Sequence, residues 1–376
     1  MNDSTIRAWA EIDLSAVLDN LASMRAYVSP ASVLAVVKGD AYGHSIRAVA
    51  PPIAARFPDA VFGVASAGEA AAVRSLIPQS PILILGPCLP DEAASIIEMN
   101  ASTVLSDIPF AQALNAAALR ANAVGRVHIE IDTGMGRHGV VADDALTIAE
   151  YVATSPALQL DGIMTHFSDA ERDREWTGTQ LLRFRAIERT LQDHGIHART
   201  RHACNTAAML LYPEMWFEMV RPGLGLYGIL PELPPGTDVP HLRPALALRA
   251  RVLLVRTLQA GAFISYGRTV RLRRRSRIAV LGIGYADGIP RELGNRGSVL
   301  IRGKRVPIIG RICMDVTLAD VTDLDDVAPG EIATVIGSDG AEVIRVEEIA
   351  RLLGTTEHEI TTRLGARAPR RSVGLC

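Results

Sequence analysis

Eight short runs rich in aliphatic and β-branched residues recur over roughly the first 230 positions, with longer alanine-rich stretches between them. The runs are VLAVVK (33–38), VFGVAS (61–66), PILILG (81–86), STVLS (102–106), VHIEID (127–132), DGIMTHF (161–167), TRHACN (200–205) and EMVRPGLGLYG (218–228). Segments such as AGEAAAVRSL, PDEAASIIEM, FAQALNAAALRA and DDALTIAEYVAT have the helical character that crossovers between parallel strands require. Eight strands alternating with helices is the count of a (β/α)8 barrel, so an α/β fold with an N-terminal TIM-type barrel is expected. The residues that end the runs include Lys38, Ser66, Asp132, His166 and Asn205. Such a barrel gathers its chemistry at that rim. One local conflict stands in VAPPIAARF, where Pro51-Pro52 is expected to break or kink the helix after the first strand.

The proline-rich stretch LPELPPGTDVPHLRP (230–244) interrupts this rhythm and reads as a linker. Beyond it, ALALRARVLLVRTL, SRIAVLGIGYADG, KRVPIIGRICMDVTLADV and EIATVIG alternate as strands with glycine turns, predicting a mainly β C-terminal domain. The expected division is a barrel over 1–236 and a β domain over 237–376, since 376 residues exceed what one core organises. With 39 basic and 41 acidic residues the net charge is -2, which offers no field for nucleic acid or an anionic membrane; a small partner is expected. The basic run RTVRLRRRSR (268–277) reads as the solvated face of a strand or hairpin. Cys88, Cys204, Cys313 and Cys376 show neither paired metal spacing nor a disulfide framework, so no metal is expected and a reducing compartment fits. The N-terminus lacks a basic head followed by an apolar stretch, and no run reaches the roughly 18 apolar residues of a membrane span. A cytoplasmic location is the expectation.

Lys38 stands directly behind five apolar residues. A lysine at the rim of a rigid strand has a fixed position and can be desolvated into a nucleophile. KGDAYGH then adds two glycines for tight turns, with Tyr42 and His44 able to donate hydrogen bonds to an anion near the barrel mouth.

The string AVVKGDAYGHS resembles the pyridoxal-phosphate signature of alanine racemases, A-V-x-K-A-[ND]-A-Y-G-H-G, with Gly39 for the usual alanine and Ser45 for the last glycine. The resemblance continues in order through AEIDLSAVLDNL, EIDTGMGRHG (130–139), GIMTHFSDA (162–170), HACNTAAML (202–210), VRPGLGLYG (220–228), ISYGRTV (264–270), GYADGIPR (284–291) and GRICMDVTLADV (310–321). It implies that Lys38 binds pyridoxal 5'-phosphate covalently, and that its amine handles the α-proton on one face of a small amino acid. Tyr266 would be the base on the opposite face, with His166 and Arg221 assisting a phenol whose ordinary pKa of about 10 makes it a poor base. Arg221 would face the pyridine nitrogen and leave it unprotonated, favouring racemisation over transamination. Tyr42, Thr206 and the backbone N–H groups of Gly223 and Leu224 would hold the phosphate. Asn205 completes the implied cofactor contacts, Arg137 and Met314 the substrate contacts, and Asp315 and Tyr285 support the site. The resemblance also implies a head-to-tail homodimer in which Tyr266 and Met314 reach the barrel of the partner.

Two positions depart from the family pattern. Where many members carry a carbamylated lysine this chain has Glu130, a carboxylate expected to orient Arg137 without modification. Where the family reads T-I-x-Y-E, this chain has TTEHEI, placing His358 at the tyrosine and altering both phosphate contact and pocket volume. Racemisation of alanine is the expected activity. Serine or a broader set of small amino acids is the alternative, with a non-catalytic cofactor carrier or a decarboxylase as more distant rivals. A carrier needs no second domain with ISYG and CMD, and no additional glycine-rich phosphate loop of the decarboxylase kind is present.

Overall fold

The structure, a computed structural model, describes residues 5–375. Cys376 lies outside the described residues. Strand β1 (Ala8–Asp13) precedes eight parallel strands: β2 (Ser32–Val36), β3 (Val61–Val64), β4 (Ile82–Ile84), β5 (Ser102–Leu105), β6 (Gly125–Glu130), β7 (Leu158–Met164), β8 (Thr200–His202) and β9 (Met219–Val220). They form one eight-stranded sheet in the order β8-β7-β6-β5-β4-β3-β2-β9. Arg221 N–H donates to Cys204 O at 2.8 Å just past the ends of β9 and β8, which draws the sheet towards closure. All eight β-rich runs are therefore barrel strands. Their side chains are buried on both faces, as Val33 to Val37 are, because helices cover the outside and the barrel packs inside.

The helices start where short polar side chains satisfy free N–H groups. Asp13, Asp107 and Asp173 accept from Ala16, Phe110 and Trp176 N–H at 2.9, 2.8 and 2.8 Å. Ser66, at the rim after β3, serves the same purpose for Glu69 N–H at 3.3 Å. The helix Ile46–Arg56 runs on through Pro51 and Pro52, contrary to the expected break. Both prolines lie partly exposed, so water can serve the carbonyls of Arg47 and Ala48 that they leave without donors.

The second domain is a mainly β unit built on the long strand β10 (Leu246–Leu258). β10 pairs antiparallel with β1 and with Ile332–Asp339, and after a register shift near Val252 it pairs with Ser276–Leu281. The C-terminal strand Arg370–Val373 runs parallel to β1 on its other side. The expectation of a barrel from residue 1 is corrected here: β1 belongs to the second sheet, because its hydrogen-bonding partners lie at 246–250 and 370–373. The basic run lies on a short hairpin, Phe263–Ile264 with Val270–Arg271, where Arg268 and Arg271 lie over the exposed Phe263 ring at 5.6 and 5.7 Å. Helix Glu357–Thr362 returns to the barrel mouth and carries His358. Among the described residues, no helix is long and apolar enough to cross a membrane.

Candidate active site

After β2 the backbone enters a left-handed turn, with φ of +62° at Gly39, +52° at Asp40, +56° at Ala41, +53° at Tyr42 and +81° at Gly43. Left-handed residues other than glycine cost about 1–2 kcal/mol each, so the surroundings must enforce the conformation. Glu69 accepts from Gly39 N–H and Ala65 N–H, both at 2.7 Å, and Asp40 accepts from Ile46 N–H at 2.8 Å. His44 bonds through Nδ1 to the carbonyls of Ala41 and Tyr42 at 3.0 Å and stacks on Tyr227 with centroids 4.2 Å apart. The expectation that His44 donates to an anion at the mouth is thereby corrected. It is fully buried inside the turn, and burial pushes its pKa down to about 4.

The turn delivers Lys38 to a cavity of about 380 Å³ at the C-terminal end of the strands. Desolvation lowers the Lys38 pKa, reinforced by Arg137 and Arg221 and opposed by Glu69 and Glu130. The shift makes the neutral, nucleophilic form easier to reach than in an exposed lysine.

Arg221, buried, lines the same cavity. It donates to Thr165 O at 2.8 Å, Ala203 O at 3.1 Å, His202 Nδ1 at 2.9 Å and His166 Nδ1 at 3.2 Å. Burial lowers its pKa to about 10, which leaves it cationic at neutral pH. Because a guanidinium only donates, His202 Nδ1 must accept, and its Nε2–H then points to His128 Nδ1 at 2.8 Å. Desolvation, then the Arg221 charge, holds His202 and His166 well below the usual histidine range. Burial takes His128 to about 4. A cation on neutral imidazoles therefore threads the barrel interior.

Asp132 organises the loop after β6. Its Oδ1 accepts from Gly134, Met135 and Gly136 N–H at 2.9, 2.9 and 3.1 Å, and Val140 N–H returns to Glu130 O at 2.8 Å. Desolvation opposes ionisation of Asp132, but these backbone donors together with His138 outweigh it and lower its pKa. The folded-back loop sets Arg137 and His138 against Glu130, which is 3% exposed. Arg137 Nη2 is 4.0 Å from Glu130 Oε1, whereas His138 Nδ1 is 2.9 Å from Oε2. That short contact is misaligned for a hydrogen bond, so both atoms remain formally unpartnered.

The other end of the cavity holds neutral donors. Burial, then Glu69, raises the Tyr42 phenol well above its ordinary range and keeps it protonated. Thr206 Oγ1 accepts from Gly223 and Gly225 N–H at 3.1 and 3.2 Å, gathering hydroxyl and backbone at one point. Leu224 lines the same wall. Asn205 lines the cavity too, while its Oδ1 caps the helix Thr206–Leu211 through Ala208 N–H at 2.9 Å. His358 keeps exposed surface, yet its ring lies 5.5 Å from Tyr42; desolvation, then Lys38, lowers its pKa.

Tyr266, Met314, Asp315 and Tyr285 are not among the residues lining this cavity. They face a second, open concavity together with Gly267, Arg291 and Arg311. Tyr266 is 70% exposed, Met314 52% and Tyr285 41%. Arg367 secures the rim by pairing with Asp315 at 2.8 Å and Asp287 at 3.1 Å. Three groups escape a reading of the sequence, His138 in the cavity wall and His202 and Glu69 behind it, supporting Arg221 and the Gly39 backbone. His138 was signalled only by standing next to Arg137, His202 only by opening HACNTAAML, and Glu69 by nothing local.

A parallel barrel that aims a desolvated lysine, a buried arginine and a cluster of hydroxyl and backbone donors into one cavity, with a β domain behind it, defines a barrel-type pyridoxal-phosphate enzyme. The family models for the alanine racemase N-terminal and C-terminal domains match residues 12–231 and 245–372. An alanine racemase of Desulfosudis oleivorans is 37% identical over 381 residues, covering 98% of this chain and 97% of that protein. Alanine racemase from Streptomyces coelicolor A3(2) superimposes with a TM-score of 0.93 at 31% identity, covering 100% of both chains. The Bartonella henselae alanine racemase, solved with covalently bound pyridoxal phosphate, gives a TM-score of 0.87 at 27% identity over 98% of this chain and 99% of that one. The chain belongs to the alanine racemase family.

The cavity suits the cofactor. A Cβ on Gly223 would lie 2.3 Å from the Tyr42 hydroxyl oxygen, so the bare glycine keeps the phosphate end open. Lys38 and Arg221 are an amine that could hold a carbonyl and a fixed cation that could face a pyridine nitrogen.

Proposed function

We infer that this chain interconverts L- and D-alanine with pyridoxal 5'-phosphate held by Lys38. When bound, the cofactor withdraws the electron pair left at the α-carbon as its proton departs. The Lys38 amine then moves that proton on one face. Arg137 draws the substrate carboxylate into place, and its planar fork suits that task. Arg221, Tyr42, His166, Asn205, Thr206, Gly223, Leu224 and His358 hold and orient the cofactor. Glu130 steadies Arg137. The division of labour falls between the barrel strands and loops before residue 237, which with His358 bind the cofactor, and the β domain, which includes β1 and supplies the second base.

That base is Tyr266, and the proposal places it across a head-to-tail homodimer. What supports this is its exposure on a concavity separate from the Lys38 cavity, shared with Met314, Tyr285 and Asp315. Tyr266 of the partner subunit would hold the opposite face of the substrate. A cytoplasmic location is part of the same reading. Neither a serine-selective enzyme nor a cofactor carrier is favoured, since the matched relatives are alanine racemases and the second family domain is present.

The observation that carries the reading is Lys38, partly desolvated and set among Arg137, Arg221 and His166 in one cavity. Purified protein incubated with L-alanine and pyridoxal phosphate should lose optical rotation without forming pyruvate or amine. Stable rotation, or stoichiometric pyruvate, would overturn the assignment.

A further inference from the structure

A carboxylate buried to the degree of Glu130 must be neutralised, and the nearest guanidinium stands off at 4.0 Å. The gap to His138 is shorter, at 2.9 Å. Glu130 Oε2 and His138 Nδ1 are both buried and neither has another hydrogen-bond partner, so one proton between them satisfies two polar atoms at once. Glu130 Oε1 is left to Arg137, on the side that faces the cavity with His138.

We propose that His138 is a positioning residue for the racemisation: it shares the buried Glu130 carboxylate with Arg137 and thereby keeps the Arg137 guanidinium available to an anionic group of the substrate. The inference rests on the reading of Arg137 as the carboxylate-binding residue. Without His138, Glu130 would pull Arg137, the guanidinium nearest to it, onto itself. With His138 occupying one oxygen, the pull is divided and the guanidinium stays extended, consistent with an Arg137 side chain that remains 42% exposed. The backbone supports the grouping, because Asp132 ties three successive N–H groups of the same loop and fixes where residues 137 and 138 fall.

The experiment uses the full-length, cofactor-loaded protein in four forms: wild type, His138→Leu, Glu130→Gln and the double variant. His138→Leu should raise KM for L-alanine by about tenfold and weaken binding of propionate, a simple carboxylate, by a similar factor. kcat should change less than KM, since Lys38 and Tyr266 are untouched. In the Glu130→Gln background the same substitution should do nothing further, because the shared carboxylate is gone. His138→Asn, which keeps a donor near the Nδ1 position, should restore propionate binding to near the wild-type value. Melting temperatures identify any variant that has merely lost its fold, and His138→Asn then carries the test. Equal effects of His138→Leu with and without Glu130, or an unchanged propionate Kd, would overturn the proposal. Propionate affinity is read by calorimetry without turnover. A wild type that racemises alanine yet loses no propionate binding in Arg137→Ala would instead sink the underlying reading of Arg137.

Discussion

The most consequential single residues here are imidazoles held neutral. His44, His128 and His202 are buried and their folded pKa values lie below the unfolded value of about 6.5, with His44 and His128 near 4. Depressed folded values mean that the unfolded chain binds more protons between those limits. The stabilisation is present above about pH 6.5 and is lost as pH falls towards the folded values. Urea denaturation between pH 7 and 4.5 should therefore show stability dropping with a slope near pH 5 equivalent to uptake of about three to four protons, since His166 is held below the usual range as well. His128→Asn keeps an acceptor for His202 and should reduce that uptake by about one; an unchanged slope would show that His128 does not titrate in this window. The consequence for function is that the Arg221 cation rests on acceptors that stay uncharged through the neutral range. A protonated His202 would lose its Nδ1 lone pair and repel the guanidinium it now accepts from.

At the scale of the element, the left-handed turn after β2 decides where Lys38 stands. Gly43 has φ of +81°, and a Cβ there would sit 2.2 Å from the Thr361 carbonyl oxygen of the returning C-terminal helix. Gly39 has φ of +62°, but its Cβ would meet nothing nearer than the Thr362 methyl at 3.6 Å. Gly39→Ala should therefore lose about 1 kcal/mol, while Gly43→Ala should lose about 2–4 kcal/mol and displace Lys38 enough to reduce activity. Denaturant unfolding of both variants tests the contrast, and equal losses would mean that conformational strain alone matters. The two glycines of KGDAYGH were visible in the sequence as turn formers, and the barrel strands were visible because apolar runs buried on both faces look alike wherever they occur. The handedness of Asp40, Ala41 and Tyr42 was not visible, since those residue types prefer negative φ and partners such as Glu69, His44 and Arg370 help to impose the turn. For the same reason β1 escaped assignment to the second sheet: an apolar strand before a barrel looks like barrel, and its partners come more than 230 residues later.

For the whole molecule, the Lys38 cavity and the Tyr266 concavity are separate in one subunit, and on the proposed reading each would present half of a two-base arrangement. Two-base racemisation would need both groups beside one α-carbon, so on that reading the second domain would meet a barrel other than the mouth it already partly covers with His358. In a symmetric head-to-tail dimer the contact is made twice, each subunit giving an amine to one site and a phenol to the other. The geometry can be tested without a structure of the assembly. Lys38→Ala and Tyr266→Phe should each be nearly inactive as purified homodimers. When the two are unfolded together, refolded with pyridoxal phosphate and allowed to pair at random, half of the dimers should be hybrids. Each hybrid carries one site with both defects and one with neither, so the mixture should recover about a quarter of wild-type activity. If Tyr266 instead served the cavity of its own subunit, every site in every hybrid would keep a defect, and mixing would recover nothing.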